Sequence, residues 1–204
     1  FEGKRVPNYR KQHLPNYAVF DENRYFLAAS QPTVVEIGTI RLCITICEDI
    51  WSPGNAQQSR AAGAEMICNL NASPYRLDKH AQRIDVVSAA AREGDLPIAY
   101  VNTVGGQDEL IFDGGSFATD ASGRISGMLP SFESGLSLVD IELPGGLAGQ
   151  LYADVVDLDN AAQLESGLVL GIRDYFLKQQ LPPGAVIGLS GGIDSAVTAH
   201  LAVE

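Results

Sequence analysis

Apolar and polar positions along the chain change period several times, and each change marks an element. TVVEIG (33–38) and IRLCITIC (40–47) are β-rich runs that meet at Gly38 and predict a hairpin. NAQQSRAAGA (55–64) suits a short helix, EMICNL (65–70) a strand and NASP (71–74) a loop. In DKHAQRIDVVSAAAREG (78–94), Ile84, Val87 and Ala91 share a helical stripe, with Asp78 placed as N-cap and Gly94 as stop. PIAYVNTV (97–104) predicts another buried strand. Glycines then crowd GGQDELIFDGG, and short strands are expected in SFATD, RISGML and LSLVDIEL, with a turn at ASG. Strand, helix, strand, helix, strand and a closing meander predict α/β layers.

The pattern changes at PGGLAGQ (144–150), which has no aromatic or charged residue and reads as a linker. Beyond it, NAAQLESGLVLGIRDYFLKQQ places Leu164, Leu168, Ile172, Tyr175 and Phe176 on one helical face. LPPG breaks that helix, AVIGLS predicts a strand, GGID a turn and SAVTAHLAVE a helix. The expected organisation is one domain over 1–143, a linker over 144–158 and the start of a second domain over 159–204. The opening FEGKRVPNYR reads as the middle of a strand and loop, and the final residues stop inside a helix. Both ends suggest a piece of a longer protein.

Composition narrows the function classes. With 46% hydrophobic and 19% charged residues, the 204-residue chain can bury a sizeable core. A net charge of −11 argues against a nucleic-acid partner, which would need a basic stripe. No apolar run approaches the roughly 18 residues of a membrane span. Cys43, Cys47 and Cys68 are an odd set without a CxxC pair, so a disulfide framework is not expected and a reducing cytoplasm is. His13, His80 and His200 are scattered and form no metal-ligand pair.

VIGLSGGIDSAVTAHL carries the first chemical signal. A strand runs into two glycines and a helix opens, so backbone N–H groups and the helix N-terminus can meet an anion. Ser190 and Ser195 add hydroxyls at either end of the turn. The Lys-Ser/Thr pair of a Walker loop is missing. The segment resembles the SGGxDS loop of the ATP pyrophosphatase family, which grips the β- and γ-phosphates of ATP. That resemblance implies ATP binding by Ser190, Gly191, Gly192, Asp194 and Ser195. It also gives Asp194 a place beside magnesium, although a carboxylate at a helix start can equally be a cap.

The second signal is LCITICEDIW (42–51), an apolar run ending on a thiol and two carboxylates. Cys43 and Cys68 lie inside apolar strands and read as small buried hydrophobes. Cys47 closes its strand. A nucleophilic cysteine needs a nearby cation or base to hold its thiolate. Upstream, YRKQHLPNYAVFDENRYF (9–26) resembles the lysine-bearing segment of the nitrilase superfamily, in the variant found as the glutaminase half of glutamine-dependent NAD synthetases. NASPYRLDK, YVNTVGGQDELIFDGGSF and the ASGRI turn follow the same pattern.

The resemblance implies a nitrilase-type α-β-β-α sandwich, partly represented, followed by the start of a doubly wound α/β domain. It assigns Cys47 as nucleophile and Lys11 as the triad lysine, with the triad glutamate upstream, since Glu2 sits too close to Lys11 to match it. Tyr17, Glu48, Trp51 and Ser73 match glutamine-cradling positions, Trp51 and Ser73 being equally suited to packing and to a turn. Glu22 resembles an auxiliary carboxylate near the lysine. The implied reaction is amidation of nicotinic acid adenine dinucleotide, using ATP and ammonia freed from glutamine, in a cytoplasmic homo-oligomer. The piece alone is expected to catalyse neither half. The rivals are another glutamine-dependent amidotransferase with the same ATP loop, a stand-alone carbon-nitrogen hydrolase, and a non-catalytic interaction module with a buried, inert cysteine.

Overall fold

In the computed structural model, residues 8–143, 146–147, 151–152 and 158–204 are described. The hairpin is present: β1 (Thr33–Ile37) and β2 (Ile40–Ile46) pair antiparallel across a two-residue turn in which Gly38 has φ 62°. That left-handed backbone is why glycine stands there. After β2 come a 3-10 helix (Cys47–Trp51), α1 (Asn55–Ala61), β3 (Met66–Asn71), α2 (Lys79–Gly94) and β4 (Ile98–Asn102). β2, β3 and β4 run parallel, as crossovers through helices require. A separate hairpin follows, β5 (Val104–Gln107) and β6 (Leu110–Asp113). β7 (Phe117–Thr119) and β8 (Ile125–Met128) then continue the main sheet, and β9 (Ile141–Glu142) pairs with β10 (Gly146–Leu147) apart from it. With β11 (Leu151–Tyr152) the main sheet has the order β1-β2-β3-β4-β7-β8-β11.

Alternation along the strands sorts the two faces of this sheet. Cys43, Ile67, Ile98 and Tyr100 are fully buried, and they form one core cluster with Val87 and Ala91 of α2. The opposite positions, Ile46, Leu70 and Val101, are apolar yet 36%, 45% and 45% exposed. A sheet apolar on both faces is built to be covered on both. The described residues thus supply one helical layer and one sheet, half of an α-β-β-α sandwich.

Several expectations need correcting. Gly94 does not terminate α2 by turning left-handed: Asp95 does, at φ 51°, and a Cβ on Gly94 would lie 2.9 Å from the Ala56 Cβ. Glycine there permits close packing of α1 on α2. Asp78 occupies the N-cap but its side chain caps nothing; its φ of 63° departs from the extended backbone that capping needs. LSLVDIEL forms a strand only at Ile141–Glu142. AVIGLS forms no strand, because among the described residues no neighbour pairs with it. Residues 144–145, 148–150 and 153–157 of the expected linker lie outside the described residues.

The helix beyond the linker, α3 (Asn160–Lys178), is capped by Asp159, whose carboxylate accepts from the Ala162 N–H at 2.8 Å. Its packing face is not the predicted one. Leu164, Leu168, Ile172 and Tyr175 are exposed, while Gly167 and Leu170 are buried. Small residues decide this: a Cβ on Gly106 of β5 would come within 3.0 Å of the Gly171 Cα, so helix and hairpin meet backbone to backbone. Asp174 accepts from the Gly106 N–H at 2.8 Å, and Lys178 donates to the Gly106 carbonyl. A final helix, α4 (Ile193–Val203), is tied to α3 by His200 and Glu165.

Candidate active site

Cys47 opens the 3-10 helix at the end of β2 with φ 47°. A non-glycine residue in this region costs on the order of 1–3 kcal/mol and persists only where its surroundings hold it there. Here they do. Asp49, fully buried, accepts from the N–H groups of Gln12 at 2.9 Å and His13 at 2.8 Å through Oδ1. Its Oδ2 accepts from the Ile46 N–H at 2.9 Å and from the Tyr9 hydroxyl. One carboxylate thus fastens the segment that carries Lys11 to the turn that carries Cys47. A second tie runs from Asn55 Nδ2 to Gln12 Oε1, 2.8 Å.

Lys11 Nζ donates to both oxygens of Glu22, at 2.7 and 2.8 Å. The auxiliary carboxylate expected beside the lysine is in contact with it. Burial works against the cation at the sulfur, however. Burial pushes the Cys47 thiol above its ordinary value and outweighs the downward pull of the Lys11 ammonium; the Glu48 and Glu22 carboxylates push the same way as burial. A cysteine raised in this way needs a base to take its proton before it can attack. His13 meets Asp49 through its backbone.

Tyr17 donates to both Glu48 oxygens at 3.0 Å, and its hydroxyl is pushed up to about 12 by burial and that carboxylate. Trp51 is roofed by Lys79, whose ammonium lies 3.9 Å from the ring centroid. Sequence reasoning missed Lys79. Burial and the nearby Arg76 and Arg83 lower its pKa, while Glu48 and Cys47 pull it back up, so this cation stands within the field of the Cys47 sulfur. Ser73 is buried, its N–H donating to Asn102 Oδ1 at 2.9 Å and its hydroxyl accepting from Arg83 Nε at 3.2 Å. Arg83 also forks onto Asp113 at 2.8 and 2.7 Å and caps the carbonyls of Ser73 and Pro74 at 2.9 and 3.1 Å. This buried pair is well satisfied, and it fixes the loop at Ser73 and Pro74. Arg83 precedes Val87 by one helical turn, so an arginine on the apolar stripe was the available signal.

The phosphate-loop residues lie apart from this site; Ser190, Gly191, Gly192 and Asp194 are exposed and Ser195 is half-buried. Gly191 is left-handed at φ 84°, and nothing lies within 4 Å of where its Cβ would be. Ser195 Oγ donates to the Gly192 carbonyl at 3.0 Å and lies 3.2 Å from Ser190 Oγ. Gly192 is the N-cap of α4 and no side chain caps the helix, so Asp194 is not a cap. A glycine turn leading into uncapped helical N–H groups is the donor set an anionic phosphate needs. Among the described residues no cluster of three or more metal-ligating side chains occurs, and no helix is long and apolar enough to cross a membrane.

Residues 165–204 match the NAD synthase family model. The chain is 39% identical to the glutamine-dependent NAD(+) synthetase of Synechocystis over 96% of its own length and 37% of that relative. It is 38% identical to the Thermotoga maritima enzyme of the same name, over 100% of its own length and 41% of that protein. The chain thus spans about two fifths of the length of these relatives. Among solved structures, the glutamine-dependent NAD+ synthetase of Acinetobacter baumannii, in complex with ADP, superposes with a TM-score of 0.91 at 39% identity, covering 99% of this chain and 38% of that one. An amidase from Nesterenkonia sp., in which acrylamide has added to the active-site cysteine, matches 59% of this chain and 46% of its own at 26% identity and a TM-score of 0.53. The carbon-nitrogen hydrolase model matches residues 2–146, which include the Lys11 segment, the Cys47 turn and the Arg83 loop, and the chain belongs to the carbon-nitrogen hydrolase family.

Proposed function

We propose that this chain carries most of a glutamine-hydrolysing site and the leading edge of an ATP-dependent amide-forming site. The observation that carries the reading is the Asp49 carboxylate, which brings Lys11 and Cys47 together beside the Glu48–Tyr17 pair. Cys47 gives its proton to a carboxylate, assigned by resemblance to an upstream glutamate, and its sulfur attacks the side-chain amide carbon of glutamine. The carbon–sulfur bond forms as the carbonyl electrons move onto oxygen, where the Lys11 ammonium meets the charge. The amide nitrogen takes up the proton, the carbon–nitrogen bond breaks and ammonia leaves. Water then attacks the thioester, releases glutamate and restores the thiol.

The amino-acid end of glutamine has two charges to satisfy. Glu48, steadied by Tyr17, takes the ammonium. Lys79, held over Trp51, takes the carboxylate together with the Ser73 hydroxyl. Glu22 keeps Lys11 aligned. In the second unit, Ser190, Gly191, Gly192, Asp194 and Ser195 receive the phosphates of ATP, Asp194 being the one carboxylate of the loop available to magnesium. Residues 1–143 form the hydrolase unit, 144–158 the linker and 159–204 the start of the ATP unit. The whole protein would amidate nicotinic acid adenine dinucleotide to NAD in the cytoplasm, as a homo-oligomer.

The test uses the full-length protein, supplied with that dinucleotide, ATP and either glutamine or ammonia. Cys47→Ala should abolish glutamine-driven NAD formation and spare the ammonia-driven reaction. Persistence of the glutamine-driven rate would overturn the assignment of the nucleophile; failure with both nitrogen sources in the unsubstituted protein would overturn the acceptor.

A further inference from the structure

We propose that Asp49 is the positioning residue of the hydrolytic reaction, setting the register between Lys11 and Cys47 without touching substrate. The inference rests on the reading that these two residues carry amide hydrolysis. Asp49 is fully buried and both its oxygens are spent on the protein. Oδ1 takes the two N–H groups immediately after Lys11, and Oδ2 takes the N–H immediately before Cys47 together with the Tyr9 hydroxyl. The two segments share no strand pairing among the described residues, so this carboxylate substitutes for a ladder. A neutral side chain of the same shape cannot do the same. An amide offers one oxygen, and its NH2 would face an N–H or hydroxyl where the second oxygen now accepts. Tyr9 can reverse its hydroxyl to accept, but Ile46 cannot reverse its N–H. Asp49→Asn therefore keeps the lysine side of the tie and cuts the cysteine side.

A displacement of this kind, on the order of 1 Å, costs about 10²-fold in rate while leaving substrate contacts intact. The experiment measures glutamine hydrolysis and ammonia-driven amide formation by the full-length protein. Asp49→Asn should lower kcat for glutamine by about 10²-fold with KM changed by less than about threefold, and leave the ammonia-driven rate at its starting value. A wild-type kcat would overturn the proposal, as would a loss shared equally with the ammonia-driven rate, which would mark a general structural role. Tyr9→Phe removes one donor and keeps the carboxylate; it should lower kcat severalfold at constant KM, and it decides the matter if Asp49→Asn does not fold. Cys47→Ala and Lys11→Met separate the two levels. If either hydrolyses glutamine at full rate, the reading of the site itself falls. If both are inactive while Asp49→Asn is unimpaired, only the positioning role falls.

Discussion

The turn at Cys47 and the loop at Ser190–Ser195 are both strand-to-helix corners by sequence pattern, yet they are held in opposite ways. Bonds around the first reach 37 and 36 residues along the chain, from Asp49 to Gln12 and His13. Those around the second span at most five residues, as between Ser190 and Ser195. The first corner is half-buried and strained, the second mostly exposed and built from glycine. A site that must align several side chains for covalent chemistry needs tertiary fastening. A site that presents backbone N–H groups to an anion needs little more than its own local geometry.

Substitutions can break this contrast. The largest effect is chemical: in the full-length protein, Cys47→Ala should lower glutamine-driven amide formation by at least about 10⁴-fold. Gly191→Val, at a left-handed position, should instead impair the glutamine- and ammonia-driven rates alike. Equal sensitivity to nitrogen source in both variants would erase the distinction. Next comes stability. Asp113→Ala strands the buried Arg83 charge and should cost about 3–5 kcal/mol in denaturant unfolding. Ser195→Ala, on the exposed loop, should cost no more than about 0.5 kcal/mol. At the junction of the two units, Gly106→Ala pushes a methyl into Gly171 and should cost about 1–3 kcal/mol, read as earlier proteolysis next to α3.

Smaller effects come from protons. Lys11 pulls the Cys47 pKa down and Glu22 pushes it up. Lys11→Met should therefore move the pH profile of Cys47 alkylation upward, and Glu22→Gln downward; shifts in the same direction would contradict the site's electrostatics. The faintest is at His200, raised by Glu165. A raised folded pKa means that the α3–α4 contact is fully strengthened below the ordinary imidazole value of 6.5 and weakens as pH rises through the folded one. Because the pair is exposed, salt should screen it. Beyond its intrinsic pH dependence, amide exchange in α4 should quicken as pH rises above the ordinary imidazole value, and in His200→Ala it should follow intrinsic chemistry alone.

What the sequence revealed follows the reach of each interaction. The β1–β2 hairpin, α2 and the opening of α4 were legible because period, glycine and turn chemistry are local. Lys11 and Cys47 were singled out by resemblance. The Asp49 tie, the Arg83–Asp113 pair and Lys79 over Trp51 were not, since each joins residues 28 to 40 positions apart and leaves no periodic trace. The α3 face misled for a related reason: its apolar stripe is real, but the Gly106–Gly171 pair on the other side sets the closest approach.

One dihedral angle decides where the Cys47 thiol lies. In β2, Cys43 and Thr45 share the parity that faces the helices, and both are buried. An uninterrupted strand would have sent position 47 the same way, into the interior. The left-handed step at Cys47 breaks that alternation at its last beat. Where pleating stops thus sets the surroundings of this thiol, and lengthening the strand by one regular residue would turn position 47 toward the helices.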